Sequence, residues 1–181
     1  MIKQSVGIAG AVSQLAGSIA RLTECGELLT TSVTGLSIFR RDESSEAVTG
    51  VYEPSICLIA QGAKQVWLGE ETYLYDTEHY LFSGLHLPAV AQVMAASKEK
   101  PYLALRLTFD YRDITQLIAD SQLPQLRAQK TERGMATGKL TLPLVNAFQR
   151  LVDLLDAEQD AQILAPLIQR EIFYRLLVGE Q

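Results

Sequence analysis

Between residues 34 and 109 the apolar positions fall into short runs rich in β-branched and aromatic residues: TGLSIFRR, SICLIA, KQVWL, TYLYD, HYLFS, AVAQVMAA and PYLALRLTF. Turn-forming residues separate them, and no long helical pattern intervenes. That texture predicts an antiparallel sandwich or barrel. SICLIA is apolar on both faces, so it is expected to be covered on both sides. PYLALRLTF sets Leu103, Leu105 and Leu107 against Tyr102, Ala104 and Arg106, which places Arg106 on the face opposite the leucines. KQVWL and TYLYD read as a hairpin whose turn is made by Gly69, Glu70 and Glu71.

On either side of this region the period becomes helical. Ile8, Val12, Leu15, Ile19 and Leu22 form one apolar stripe, although Gly7, Gly10 and Gly17 lower its intrinsic propensity. An N-terminal helix or arm that packs on something else is expected. After Asp110, DITQLIADS predicts a short helix, followed by a polar connector holding Lys130, Glu132, Arg133 and Gly134. Thr141 is placed to cap a further helix with Pro143 in its first turn. Leu144, Phe148, Leu151 and Leu155, with Val145 and Val152 beside them, make that helix apolar on two sides. A barrel covers one side, so the four named residues are expected at a homodimer interface. A last helix, ILAPLIQREIFYRLLVGE, is expected to begin near Pro166 and stop at Gly179. The pattern divides the chain into an arm (1–27), a β-barrel (28–110) and a helical dimerisation subdomain (111–181).

Composition narrows the function. With 48% hydrophobic and 20% charged residues in 181, the chain is an ordinary globular protein, and no apolar run reaches membrane-spanning length. The opening MIKQSVGIAGAVSQLAGSIA weakly imitates a leader, but Ser13, Gln14 and Ser18 interrupt it, so a cytoplasmic location without membrane association is expected. Cys25 and Cys57 stand too far apart for a disulfide framework or a zinc pattern. The net charge of -5 argues against gripping nucleic acid unaided.

Motifs for chemistry are weak. Gly62 and Lys64, and the stretch GMATGKLT, lack the glycine spacing and hydroxyl residue of a phosphate loop. Asp76, Glu78, His79 and His86 offer no firm ligand spacing, Cys57 is expected in a buried strand, and Glu70 with Glu71 reads as a solvated pair. No catalytic residue, metal or cofactor is expected. The remaining candidates are Arg40, Tyr52, Lys64, Trp67, His86 and Arg106, which contact a ligand if they point into a β-enclosed cavity and are surface or structural residues otherwise.

One signature is more specific. Tyr52, Pro54, Gln61, Gly62, Lys64, Leu68, Gly69, Tyr73 and Tyr75 stand at spacings that resemble the amino-terminal domain of AraC-type transcriptional regulators. The likeness continues through Leu87 and Pro88, KPYLALRLTFD and PLIQREIFYRLLVGE. It implies a cupin-like barrel that senses an unidentified small-molecule effector, dimerising helices, and DNA contact only through a helix-turn-helix region that would begin where the chain stops at Gln181. The chain is therefore expected to be a fragment of a longer, non-enzymatic bacterial regulator. The histidine-x-histidine signature of catalytic cupins is missing. A stand-alone cupin enzyme and a ligand-free dimerisation module are the alternatives.

Overall fold

The apolar runs fold as strands, and three further strands join them. The computed structural model describes residues 7–24, 28–121 and 134–179; Cys25 and the connector residues Lys130, Glu132 and Arg133 lie outside the described residues. The order is α1 (Ile8–Leu22), β1 (Leu28–Thr30), β2 (Leu36–Arg41), β3 (Val48–Tyr52), β4 (Ser55–Gln61), β5 (Lys64–Leu68), β6 (Glu71–Tyr75), β7 (His79–Ser83) and β8 (Leu87–Val93). Then come β9 (Tyr102–Thr108), α2 (Tyr111–Ser121), β10 (Met135–Lys139), α3 (Leu142–Asp153), a 3-10 turn (Leu154–Asp156) and α4 (Glu158–Val178). No described helix is long and apolar enough to cross a membrane.

Two antiparallel sheets face each other. One runs β1-β2-β9-β4-β7-β10 and the other β3-β8-β5-β6. The expected hairpin is present: Leu68 pairs with Glu71, so Gly69 and Glu70 alone make the turn, with Gly69 at φ +60. The central position of β4 explains why its sequence is apolar on both faces.

The leucine alternation of β9 separates two cores. Leu103, Leu105 and Leu107 join the layer between the large sheet and the helices, while Tyr102 and Ala104 join the layer between the sheets. α1 lies on the large sheet with Val12, Leu15 and Ile19 buried, so its poor propensity is offset by packing. Phe109 stacks on Phe82 at 5.6 Å and meets Phe173 edge-on at 5.6 Å, tying α4 to the sheet.

Three expectations about the C-terminal part change. The segment after α2 is not all connector or helix, because β10 returns to the large sheet and pairs with β7, Gly138 opposite Tyr80. The GMATGKLT stretch is therefore a sheet edge. Second, α4 begins at Glu158, well before Pro166, which lies inside the helix and leaves the Gln162 carbonyl without its helical N–H. Third, the α3 stripe is not a dimer surface. Leu144, Phe148 and Leu151 are 3%, 0% and 0% exposed in the single chain, and Leu155, in the 3-10 turn, packs half-buried against the same core. The reason is that α1 and α4 flank α3 and cover its apolar sides, with α1 lying on the sheet. Thr141 does occupy the α3 N-cap position, with Pro143 in the first turn, but its hydroxyl makes no capping hydrogen bond.

Candidate functional site

At one side of the sandwich β6 meets β7 and β10, and Val66, Leu81 and Met135 fill the space between the sheets. Toward the opposite side, where β2 and β3 face each other, the interior is not filled. A cavity of about 360 Å³ remains, walled by β2, β4 and β9 of the large sheet and by β3, β5, β6 and β8 of the small one. That volume is within the range of small-molecule sites.

Strand parity decides which side chains reach it. On β5, Lys64 lines the cavity and Val66 is buried in the inter-sheet core, so Trp67, one residue out of phase, belongs to the outer face. On β9, Arg106 shares the inward face with Tyr102 and Ala104. Arg40 and Tyr52 also line the cavity. The structure therefore gathers Arg40, Tyr52, Lys64 and Arg106 and leaves out two candidates. Trp67 faces away from the cavity, and His86 is exposed in the turn between β7 and β8.

Sequence reasoning missed Cys57, Tyr75 and Phe39, which complete the wall. The β4 register places Cys57 directly opposite Arg106, a pairing that the sequence could not supply without knowing that β4 and β9 are neighbours. Cys57 retains accessible area although protein surrounds it, because that area opens on the cavity. Burial pushes its thiol up, so it is held protonated at neutral pH.

The cations here are poorly compensated. Arg40 is engaged, its Nε donating to Asp42 Oδ1 at 2.6 Å. Lys64 and Arg106 lie over aromatic faces: the Lys64 ammonium is 5.5 Å from the Tyr52 ring centre, and the Arg106 guanidinium 5.6 Å from that of Phe39. Burial pushes the Lys64 ammonium below its ordinary range, and repulsion from Arg106 and Arg41 adds to the effect. Among the described residues, Arg106 Nε and the Tyr52 hydroxyl are shielded from solvent without a hydrogen-bond partner. Burial pushes the phenols of Tyr52, Tyr75 and Tyr102 upward, which keeps all three neutral donors. Among the described residues no Asp or Glu lines the cavity.

The remaining acidic and histidine candidates serve the backbone. Asp76 accepts from the Glu78 N–H at 2.9 Å and sits 3.2 Å from His79 Nδ1, organising the turn into β7. His86 is not part of that group, and among the described residues no three His, Cys, Asp or Glu side chains converge as metal ligands would.

Comparison with known proteins follows the fold. A family model described as the AraC-type transcriptional regulator N-terminus matches residues 32–181. Among solved structures, an apo ToxT variant from Vibrio cholerae superposes with a TM-score of 0.56 at 11% identity, over 81% of this chain and 57% of that one. Wild-type ToxT from Vibrio cholerae with a bound unsaturated fatty acid superposes with a TM-score of 0.51 at 11% identity, over 82% of this chain and 53% of the other. The chain thus spans little more than half the length of these structures, and at such identity the likeness concerns the fold. No curated protein matches the chain in sequence.

Proposed function

The chain belongs to the family of AraC-type transcriptional regulator N-termini, and from that premise we propose that its sandwich senses a small-molecule effector for a DNA-binding regulator. The observation that carries this reading is the inter-sheet cavity with Lys64 turned inward beside Arg106 Nε and the Tyr52 hydroxyl, the last two shielded without a hydrogen-bond partner among the described residues. A filled barrel interior would leave no such space, and a purely structural one has no use for uncompensated buried donors, whose cost is on the order of 1–3 kcal/mol each. A fatty acid occupies the related ToxT structure, which supports a ligand-binding role for this fold. Effector binding acts on the regulator only through a difference in affinity between its states. The large sheet that walls the cavity also carries α1 and, through Phe109, α4, so a change in the wall is felt by the helices.

The second element of the reading is a homodimer that uses α4 instead of α3. Ile163, Leu167, Tyr174 and Val178 recur on one side of α4 and are 70%, 60%, 43% and 43% exposed. An apolar stripe of this kind on a helix is the form that helix–helix association takes.

A metabolite library screened by thermal unfolding tests the sensing role. A ligand that raises Tm in a concentration-dependent way for the wild type, and does so less for Tyr52→Phe, is the expected result. Absence of any shift across chemically diverse libraries overturns it.

A further inference from the structure

The cavity's own chemistry restricts the effector further, on the premise that the cavity is an effector site at all. Its innermost charged groups and the Tyr52 hydroxyl are donors with no acidic side chain among the described lining residues. Lys64 carries three N–H groups and lies over the Tyr52 ring, Arg106 Nε and the Tyr52 hydroxyl are shielded without a hydrogen-bond partner among the described residues, and the Tyr75 and Tyr102 phenols, held neutral, hydrogen-bond to one another. Two of these groups stand on opposite sheets, Lys64 on β5 and Arg106 on β9, and they repel one another across the gap. The wall between these groups is largely apolar, including Phe39, Ala91 and Val93, and the rim at the β1 and β3 edges carries exposed Leu28, Val48 and Val51.

We infer that the effector is an organic anion, a carboxylate or its equivalent on an apolar body, whose charged head bridges Lys64 and Arg106 and whose body lies along the apolar wall toward the β1 and β3 rim. A neutral ligand leaves two like charges buried beside each other. A cation adds to the repulsion. A compact inorganic anion satisfies the donors but leaves the apolar wall in contact with water. Only an amphipathic anion answers both, and charge-assisted bonds to Lys64 and Arg106 make the head group the main source of selectivity. The buried like charges cost the fold stability, as groups placed for a charged ligand do.

The test uses a probe pair that differs only in charge: 8-anilino-1-naphthalenesulfonate and the neutral N-phenyl-1-naphthylamine. The expected result is saturable binding of the sulfonate with an affinity at least about tenfold above that of the neutral probe, the scale of a hydrogen bond to a charged group. Decanoate is expected to displace it, and decanamide or inorganic phosphate at the same concentration is not. Lys64→Met is expected to abolish the preference for the sulfonate while retaining the neutral probe, and to raise the Tm of the ligand-free protein. Binding of the neutral probe or decanamide as tight as that of the anions overturns the charge assignment and leaves effector sensing standing. Displacement by phosphate overturns the apolar body. Failure of both probes and of decanoate to bind overturns the cavity reading itself. Arg106→Met is expected to weaken the sulfonate in the same way, and should it fail to fold, Lys64→Met alone decides the matter, since it removes a buried charge and not a packing element.

Discussion

Gly138 lies across the β10–β7 ladder from Tyr80, and the Tyr80 ring occupies the space that a Cβ at position 138 would need. Tyr80 is itself buried, so the ring has nowhere to retreat. Gly138→Ala is expected to cost about 1–3 kcal/mol by overpacking. Equilibrium urea unfolding checks this, and combining the change with Tyr80→Leu should recover part of the loss. Additive losses in the double variant would contradict the clash.

Leu151 and Leu167 separate core from surface. Leu151→Ala should destabilise by about 2–5 kcal/mol, and Leu151→Glu should leave little folded protein. Leu167→Glu should leave the fold intact and shift a dimer to monomer. Sedimentation with circular dichroism distinguishes the two, and folded monomers from Leu151→Glu would restore the α3 interface.

Lys64 and the cavity tyrosines give stability a specific pH profile. In the folded chain the Lys64 ammonium releases its proton below the usual lysine range, so above that point the unfolded chain holds more protons and stability rises with pH. The phenols of Tyr52, Tyr75 and Tyr102 act the other way, because the folded chain keeps protons that the unfolded one loses above the ordinary phenol range. Unfolding free energy measured against pH should climb on the alkaline side and then fall. Lys64→Met should remove the climb and leave the fall.

Cys57 should react slowly. Its thiol is pushed up by burial, so in a Cys25→Ser background alkylation by iodoacetamide should be slower than in the unfolded chain and should keep accelerating past the usual thiol range. A rate that levels off within that range would mean the thiol is not desolvated.

Much of the fold was legible because alternation is a local signal. The β9 leucines, the two-sided β4 and the hairpin at Gly69 follow from period and turn chemistry. What escaped is what only tertiary pairing reveals. β1 is three residues long, β3 is an exposed edge strand without alternation, and β10 is hidden in a glycine-containing run that imitates a phosphate loop. The α3 stripe was read correctly as apolar on two sides, but α1 and α4, and not a second copy, cover it. In the site, parity on β9 already placed Arg106 away from the leucines. It could not choose between Lys64 and Trp67 on β5, whose faces are distinguished only by which side the other sheet lies on.

The return of β10 to the sheet also fixes where this unit can be cut. A chimera that joins this barrel at residue 110 to the helices of another regulator would import a foreign edge strand. That strand would have to match Ser83 and Tyr80 on β7, and any side chain larger than glycine opposite Tyr80 would jam the ladder. The transplantable β unit is therefore a discontinuous object, the strands through β9 together with Met135–Lys139, and successful grafts will have their seam beyond β10.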